Sequence, residues 1–359
     1  MKIAFFGQYG TFDYFRIGGT ESYARRLSAG LIAQGHQVDF VSYRAPAAKA
    51  CMIPEGPGLH YFSRLAEAFD FLGRYCDHVV NFYVLPHDRL RFLLFRRRNH
   101  RHIRFHQFFF NFADSPLRRL LAVADARLYP YNGRLFCVSP RQYRAVRRWS
   151  KRAMLLLPPV PEDFFLDPGA KTAGQAVCLT YIGRTEPGKG IEEVINLFQY
   201  FQGLPGIRLK LYGYHHPHCQ ASVSIHHWLS RQEALGYHYT PYESHDPQVD
   251  SHLRQILKDT DILLLPYLRS ISTIDAPVLL LEGMASLCAT IAPVQGSIPD
   301  IYGASAFLYG DAREMPRRIL HAAADPAMLE TEKQRLFRRN QELGFHTGTV
   351  TRRFLEALA

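Results

Sequence analysis

Residues 176–203, AVCLTYIGRTEPGKGIEEVINLFQYFQG, run from an apolar segment through a glycine-rich turn into an amphipathic segment. AVCLTYIG is typical of a strand, and IEEVINLFQYFQG carries apolar residues at helical spacing. A strand that leads through a short loop into a helix is the repeating unit of a parallel α/β sheet. This stretch therefore predicts an α/β fold, with the loop GRTEPGKG between a strand and a helix.

The same alternation of strand and helix fills the first 160 residues. The segment TESYARRLSAGLIAQG (20–35) predicts a helix, with Thr20 as its N-cap and Gly35 as its C′ residue. The predicted strands are KIAFFG (2–7), HQVDFVSY (36–43), HVVNFYV (78–84), HIRFHQF (102–108) and RLFCVS (134–139). Such a series predicts a parallel sheet with helices on both faces.

The alternation stops at LLLPPVPEDFFLDPGAKTAGQ (155–175), which is rich in proline, glycine and polar residues, and then resumes. A chain of 359 residues is long enough for two domains. We therefore predict a first domain at 1–168 and a second at 169–344, with a terminal helix at about 345–359 that packs back on the first. Ligands of such sheets bind beyond the carboxyl ends of the strands, so the predicted active site is a cleft between the domains.

Composition and charge narrow the class of protein. The six cysteines are scattered without a CxxC pair, and no apolar run reaches the length of a membrane span, so we expect a cytoplasmic protein. Residues 1–160 contain 25 basic and 10 acidic residues, whereas the rest of the chain contains 18 and 22. The basic first half predicts an anionic partner: a membrane surface, a lipid diphosphate, a charged glycan or nucleic acid.

The loop GRTEPGKG (183–190) has the G-x4-G-K spacing of a nucleoside-triphosphate P-loop. Three features argue against that function: Gly190 stands where a P-loop has a Mg²⁺-binding hydroxyl, no apolar strand ending in Asp follows, and the motif does not open the chain. Two interpretations remain. Arg184 and Lys189 bind a diphosphate without a metal ion, or the loop is an ordinary turn with two solvated cations.

Two other segments predict anion sites at helix starts. STIDAPVLLLEGMA (272–285) predicts a helix with Pro277 in its first turn, which leaves the amides of Val278 and Leu279 available to an anion. Glu282 lies among apolar residues of this helix and needs a partner, either ribose hydroxyls or a neighbouring arginine. Gly18 and Gly19 precede the first helix in the same way, although this arrangement is common and weakly specific.

Together these segments resemble the retaining glycosyltransferases of glycosyltransferase family 4. The matching pieces are GGTESYARRLSAGLIAQGHQVDFVS (18–42), YIGRTEPGKGIEEVINLF (181–198), DILLLPYL (261–268) and LLLEGMASLCATIAPVQGSIPDI (279–301), in family order and at family spacing. The resemblance covers most of the chain and is weakest between 45 and 130. It implies the GT-B fold, in which two Rossmann-like doubly wound domains face each other across a cleft. It also implies transfer from a nucleotide-diphosphate sugar, UDP- or GDP-linked, with retention and without a metal ion or cofactor.

The resemblance implies a role for each matching residue. Arg184 and Lys189 bind the donor diphosphate, and Glu282, the second glutamate of the family's E-x7-E motif, binds the nucleotide ribose. His106, at a strand end facing the cleft, is the candidate for the histidine near the donor sugar; His87, His100 and His102 lie nearby, and a structural histidine is the alternative. The remaining predicted donor contacts are Gly18, Gly19, Asp275, Ala276, Pro277, Val278 and Leu279.

One position departs from the family pattern. The first glutamate of E-x7-E, which contacts the donor sugar in the family, is replaced by Ile274, with Asp275 beside it. Either Asp275 substitutes for the glutamate, or donor recognition differs, or activity is reduced. The alternative function is therefore a catalytically impaired relative that binds a nucleotide sugar or a protein partner.

The family's first domain takes the acceptor, which implies a glycan or lipid-linked acceptor in bacterial surface polysaccharide or lipopolysaccharide synthesis. The most cationic stretch, HDRLRFLLFRRRNHRHIRF (87–105), is either an amphipathic segment that lies on the inner face of an anionic membrane or a surface helix with solvated arginines. Nucleic acid is not an expected partner, because no zinc site, RRM signature or helix-turn-helix pattern is present.

Overall fold

The computed structural model describes residues 1–10, 14, 18–110, 132–171, 176–215, 220–232, 237–241, 249–267 and 274–359. The chain divides into two compact units. The first contains Met1–Pro159 and Phe345–Ala359, and the second contains Val160–Gly344. In the part of the chain that the structure describes, no helix is both long and apolar enough to span a bilayer.

The first unit is organised around one sheet. Its described strands are β1 (Lys2–Gln8), β2 (Gln37–Tyr43), β3 (Lys49–Met52), β4 (Gly58–Phe62), β5 (His78–Asn81), β6 (Arg104–Phe109), β7 (Leu135–Cys137) and β8 (Ala153–Leu155). They are hydrogen-bonded in the order β3-β4-β2-β1-β5-β6-β7-β8. Every neighbouring pair is parallel except β3 with β4, which is antiparallel.

Helices cover both faces of this sheet, and the parallel strands are therefore buried on both sides. The described helices are α1 (Gly19–Ala33), α2 (Leu65–Tyr75), α3 (Pro86–Asn99), α4 (Pro140–Arg147) and the terminal helix α12 (Thr347–Leu358). Phe69 of α2 and Phe92 of α3 pack on one another within a single buried cluster. Tyr23 of α1 and Phe354 of α12 contact the ring of Phe108 in β6.

The second unit repeats this plan with a six-stranded parallel sheet. Its described strands are β9 (Val177–Arg184), β10 (Ile207–His215), β11 (Tyr237–Pro241), β12 (Ile262–Leu264), β13 (Ala289–Pro293) and β14 (Leu308–Tyr309), in the order β11-β10-β9-β12-β13-β14. Its described helices are α5 (Ile191–Phe201), α6 (Gln220–Leu229), α7 (Val249–Lys258), α8 (Val278–Ala285), α9 (Ile298–Tyr302), α10 (Met315–Ala324) and α11 (Pro326–Leu343). The carboxyl ends of neighbouring strands therefore lie at one edge.

Residues 160–171 belong to the second unit because they pack on it. The amide of Leu166 donates a hydrogen bond to the carbonyl of Ala285 at 3.0 Å. The buried ammonium of Lys171 donates to the carbonyl oxygens of Leu257 and Ser286, which terminate α7 and α8. The structural boundary thus lies at 159/160 rather than at the predicted 168/169. Proline content marked the loss of regular structure but gave no information on which unit the segment contacts.

The predicted α/β class and the alternation of strands and helices are confirmed. Gly35 follows the C-cap of α1 with a φ of +79°, as predicted for a C′ glycine. Two helix starts differ from prediction, since Gly18 rather than Thr20 is the N-cap of α1 and Pro277 is the N-cap of α8. The edge strand β3 was not predicted, because all four of its residues are exposed and it lacks an alternating pattern.

Candidate functional site

The candidate site lies at the carboxyl edge of the second sheet. Arg184 is the last residue of β9, and Tyr214 is the penultimate residue of the neighbouring β10. On the other side of β9, the strand β12 is followed by Pro266 and Tyr267. Three neighbouring strands therefore deliver their terminal residues to one place, where α/β sheets bind ligands.

The loop 183–190 turns from β9 into α5 through a short 3₁₀ helix, Pro187–Lys189. Gly190 is the N-cap of α5 and has a φ of +76°. A Cβ atom on Gly190 would lie 2.0 Å from the carbonyl oxygen of Pro266. Any side chain here is therefore excluded by backbone strain and by contact. Gly190 is thus required by the fold, which explains why the loop lacks a P-loop hydroxyl.

Lys189 folds over an aromatic ring beside this turn. Its Nζ lies 5.1 Å from the centre of the Tyr267 ring, within the range of a cation–π interaction. Burial, reinforced by the positive charge of Arg184 and opposed by Glu186, lowers the pKa of Lys189 to about 7. A lysine with this pKa changes charge near neutral pH, and an added anion would stabilise its charged form.

Arg184 is one-third exposed and has a nearby carboxylate. Its Nη1 lies 3.3 Å from a carboxylate oxygen of Glu186. The carbonyl oxygen of Arg184 accepts a hydrogen bond from the Tyr181 hydroxyl at 3.1 Å, which fixes the end of β9. Burial and then the charge of Glu282 raise the pKa of Tyr267, and the positive charge of Arg184 opposes this rise, so Arg184 and Lys189 lie near the same ring.

Helix α8 begins close to this edge and carries Glu282. Val278 and Leu279 are its first two residues, so the helix geometry provides no intrahelical partner for their amides. Glu282 is buried, as predicted. Burial raises the pKa of Tyr267 above its ordinary value, and the negative charge of Glu282 raises it further. Burial and the charge of Glu282 also raise the pKa of Tyr214 to about 12. Tyr267 therefore lies within electrostatic range of both Glu282 and Arg184.

Ile274, where the chain departs from the E-x7-E pattern, and the two residues that follow it have different surroundings. Ile274 is buried, and Ala276 is completely buried. The carboxylate of Asp275 accepts a hydrogen bond of 2.5 Å from the hydroxyl of Ser297. Tyr267, Ile274, Asp275, Pro277 and Ser297 line one small cavity. The only carboxylate at this wall among the described residues is that of Asp275, and it is oriented by Ser297.

The glycine pair 18–19 lies in the first unit. Gly18 is extended and caps α1, and the carboxylate of Glu21 lies directly against it, 2.3 Å from where a Cβ on Gly18 would be. Thr20 lies within hydrogen-bond distance of the Tyr83 hydroxyl, at 3.1 Å. The start of α1 thus has an acidic side chain beside it, and an anion that binds here must displace or share this position.

The predicted placement of His106 at a strand end was wrong. Strand β6 begins at Arg104 and continues to Phe109, so His106 is its third residue and is buried. Its Nδ1 accepts a hydrogen bond from the Arg134 amide, and its Nε2 lies 3.1 Å from Nδ1 of His78.

His106 also faces the opposite edge of its sheet. It lines a cavity of about 150 Å³ with Arg104, Arg134 and Arg152, which are the first residue of β6 and the residues before β7 and β8. Burial lowers the pKa of His106 to about 3 and that of His78 to about 4. The surroundings are those of a neutral structural histidine.

Sequence reasoning missed Tyr267, Ser297 and Tyr214. Tyr267 is the last residue of the predicted strand DILLLPY, where an aromatic side chain resembles a core residue, and nothing local indicates that it contacts Lys189. Ser297 lies inside a matching segment, yet its bond to Asp275 spans 22 residues. Within the described residues there is no cluster of three or more His, Cys, Asp or Glu side chains arranged to hold a metal ion.

No protein-family model and no curated protein sequence match the chain. Solved structures do. Sucrose-phosphate synthase from Thermosynechococcus elongatus matches with a TM-score of 0.72 and 16% identity over 99% of this chain and 98% of that chain. Anabaena HepE in complex with UDP-glucose matches with 0.69 and 14% over 100% and 99%. WaaG, a glycosyltransferase involved in lipopolysaccharide biosynthesis, matches with 0.63 and 14% over 97% of each chain. The chain therefore has the GT-B fold, with two Rossmann-like parallel-sheet units.

Proposed function

We propose that the protein is a retaining glycosyltransferase of glycosyltransferase family 4 that moves a sugar from a nucleoside-diphosphate sugar to a glycan or lipid-linked acceptor. The observation that carries this proposal is the grouping of Arg184, Lys189 and Glu282 around Tyr267 at the carboxyl edge of the second sheet. Two cations and a buried carboxylate, all within electrostatic range of Tyr267, match the needs of a diphosphate joined to a ribose.

In the proposed reaction the bond between the anomeric carbon and the diphosphate oxygen breaks, and negative charge grows on the leaving diphosphate. An acceptor hydroxyl oxygen bonds to the anomeric carbon, and its proton passes to the leaving diphosphate. Arg184 and Lys189 stabilise this charge, because ionised donors form the strongest hydrogen bonds to phosphate oxygens. The amides of Val278 and Leu279 at the start of α8 add a positive helix end. None of these groups requires a metal ion, so we propose a metal-independent reaction.

The proposed ribose site is Glu282. Glu282 is buried in the first turns of α8, its ionised carboxylate accepts hydrogen bonds, and two vicinal ribose hydroxyls are suitable donors to it. Asp275, held by Ser297, is the proposed contact for the donor sugar in place of the carboxylate that Ile274 lacks. Gly18 and Gly19 remain proposed phosphate contacts, with the carboxylate of Glu21 beside Gly18. His106 has no place in this mechanism.

The donor is proposed to be UDP- or GDP-linked, and the UDP-glucose complex of HepE is a structural precedent on this fold. The test is a panel of UDP-, GDP- and ADP-sugars incubated with the purified protein, with released nucleoside diphosphate and the product's anomeric configuration as readouts. We expect release with one base and retention of configuration. Inversion would contradict the family assignment, and an absence of both binding and release across the panel would contradict the proposed function.

A catalytically impaired relative is the second candidate, and the burial of Ile274 favours it. Such a protein would bind a nucleoside-diphosphate sugar without releasing the diphosphate, with or without acceptor. An Asp275→Asn variant separates the two candidates. It should reduce turnover while leaving the affinity for the nucleoside diphosphate unchanged if Asp275 contacts the sugar, whereas an impaired protein has no turnover to lose.

The acceptor side is proposed to meet an anionic membrane through α3, at the inner face of the membrane and in surface polysaccharide or lipopolysaccharide synthesis. Phe92 and Leu93 of this segment are buried in the core, so they have no part in the proposed membrane contact. Leu90 and Leu94 remain about half exposed and lie one helical turn apart. We define the α3 surface as these two leucines with Arg91, Arg97 and Arg98, which are all exposed.

Changing Arg91, Arg97 and Arg98 to glutamine is expected to weaken sedimentation with anionic vesicles by about 1 kcal/mol per arginine at low salt. Nucleotide affinity should not change. The matched control removes three exposed arginines of the second unit, Arg231, Arg317 and Arg338. Equal loss in both triple variants would mean that net charge alone drives binding and would reject the α3 surface.

A further inference from the structure

Tyr267 connects the two halves of the site that sequence reasoning treated separately. Its ring lies under the Lys189 ammonium, with 5.1 Å between Nζ and the ring centre, and Tyr267 also lines the cavity beside Ile274, Asp275 and Pro277. The residue before it is Pro266, whose carbonyl oxygen would collide with a Cβ atom on Gly190. The short segment 266–267 thus contacts both the end of the loop 183–190 and the approach to α8.

The backbone of Tyr267 is fixed on both sides. Its amide donates to the carbonyl of Leu265 at 2.8 Å, and its carbonyl accepts from the side-chain amide of Gln295 at 2.5 Å. Leu265 in turn donates to Ile291 in β13. The ring therefore has a rigid base in the sheet, whereas a lysine side chain has four rotatable bonds and a large rotamer entropy to lose on ordering. A fixed aromatic face reduces the number of positions that Lys189 adopts before a ligand arrives.

We propose, on the basis of the proposed function, that Tyr267 is a positioning residue of the donor site: its ring orders the Lys189 ammonium for the diphosphate. Tyr267 is not a catalytic residue in this scheme, since it acts through Lys189. Its contribution is the preorganisation of a charged group, which increases affinity by reducing the ordering that binding requires.

The charges around Lys189 give this role a distinctive pH dependence. Arg184 and Glu186 of its own loop act electrostatically on Lys189, and Glu282 of α8 acts electrostatically on Tyr267. Enclosure lowers the pKa of Lys189 to about 7 in the absence of ligand. A bound diphosphate favours the ammonium, so binding above pH 7 takes up a proton and affinity falls as pH rises, by up to about tenfold per pH unit.

Isothermal titration calorimetry with UDP, GDP and ADP between pH 7 and 9 tests the proposal. Tyr267→Leu should weaken the best nucleotide about threefold to thirtyfold at pH 7 and flatten its pH dependence, because water then reaches Lys189 and its pKa rises. Tyr267→Phe keeps the ring and should remain within about threefold of the wild type. Tyr200→Leu, at an exposed tyrosine of the same unit, is the control.

A double-mutant cycle distinguishes positioning from general packing. In a Lys189→Met background, Tyr267→Leu should cause no further loss of nucleotide affinity. An equal loss with and without Lys189, or an unchanged pH profile in Tyr267→Leu, would overturn the positioning role. If the wild type binds none of the nucleotides, the proposed function fails. The same cycle measured on unfolding free energy then decides the proposal, since an absence of coupling between Tyr267 and Lys189 rejects it.

Discussion

Lys189 and His106 are both bases whose pKa is lowered mainly by burial, to about 7 and about 3. Their surroundings differ. Lys189 follows the carboxyl end of β9 and rests on an aromatic face, whereas His106 lies inside β6 with both ring nitrogens within hydrogen-bond distance of its own sheet. A perturbed pKa therefore marks burial, and only the position on the sheet separates a ligand site from a structural group.

The largest effect is expected at Gly190, in the loop that carries Lys189. Gly190→Ala should reduce the unfolding free energy by about 3 kcal/mol, because the residue adopts a positive φ and its Cβ would collide with the Pro266 carbonyl. Gly188→Ala is a matched control two residues away, where an added Cβ meets nothing within 4 Å. Chemical denaturation measures both, and similar losses would show that the Pro266 contact does not constrain the loop.

Lys189→Met and Arg184→Gln should each weaken nucleoside-diphosphate binding by about 1.5–3 kcal/mol, which is roughly tenfold to 150-fold, because each removes a charge-assisted contact. Thermal unfolding should stay close to that of the wild type. Lys210→Met, which removes a partly buried lysine from β10 of the same unit, is the control. Unchanged affinity in both site variants would remove the diphosphate assignment.

His106→Leu should reduce stability rather than nucleotide affinity. It leaves the Arg134 amide and His78 without their partner, which is expected to reduce stability by about 2 kcal/mol. Nucleotide affinity, measured below the unfolding transition, should not change. A loss of affinity or turnover with intact stability would restore His106 to the donor site and contradict its assignment as a structural residue.

Acid should reduce the stability of the sheet around His78 and His106. Both His78 and His106 have a folded-state pKa below the unfolded value of about 6.5, so the unfolded chain binds more protons and stability is lost as pH falls. The loss should be about 1.4 kcal/mol per pH unit for each histidine, ending near pH 4 for His78 and pH 3 for His106. Denaturation at pH 7, 6 and 5 measures it, and a double leucine variant should lose this slope.

Local patterns predicted the fold well because strands, helices and glycine turns are encoded by neighbouring residues. Helical spacing in 20–35 and the strand–loop–helix order around 183–190 were sufficient to predict the α/β class and the alternation of strands and helices along the chain. The same patterns made Arg184, Lys189 and Glu282 candidate site residues, because charged residues just after a strand or inside an apolar helix are unusual.

The remaining features depend on contacts between distant residues. The sequence showed only that Gly190 replaces a residue with a hydroxyl group. Glycine is required there because of the carbonyl of Pro266, which is 76 residues further along the chain. Phe92 and Leu93 belong to the same apolar run as Leu90 and Leu94, and only packing against the sheet separates core from surface. The strand position of His106 depended on where β6 begins, and a shift of two residues turned an expected strand end into an interior.

The hydrogen bonds of His106 also determine where its proton resides. Because Nδ1 accepts the Arg134 amide, the neutral ring carries its proton on Nε2, directed at Nδ1 of His78. This tautomer has its own nitrogen chemical shifts, and a proton buried between two rings exchanges with solvent only when the sheet opens. The ring resonance of His106 is therefore an internal spectroscopic reporter of the first unit's integrity, independent of any nucleotide bound in the second.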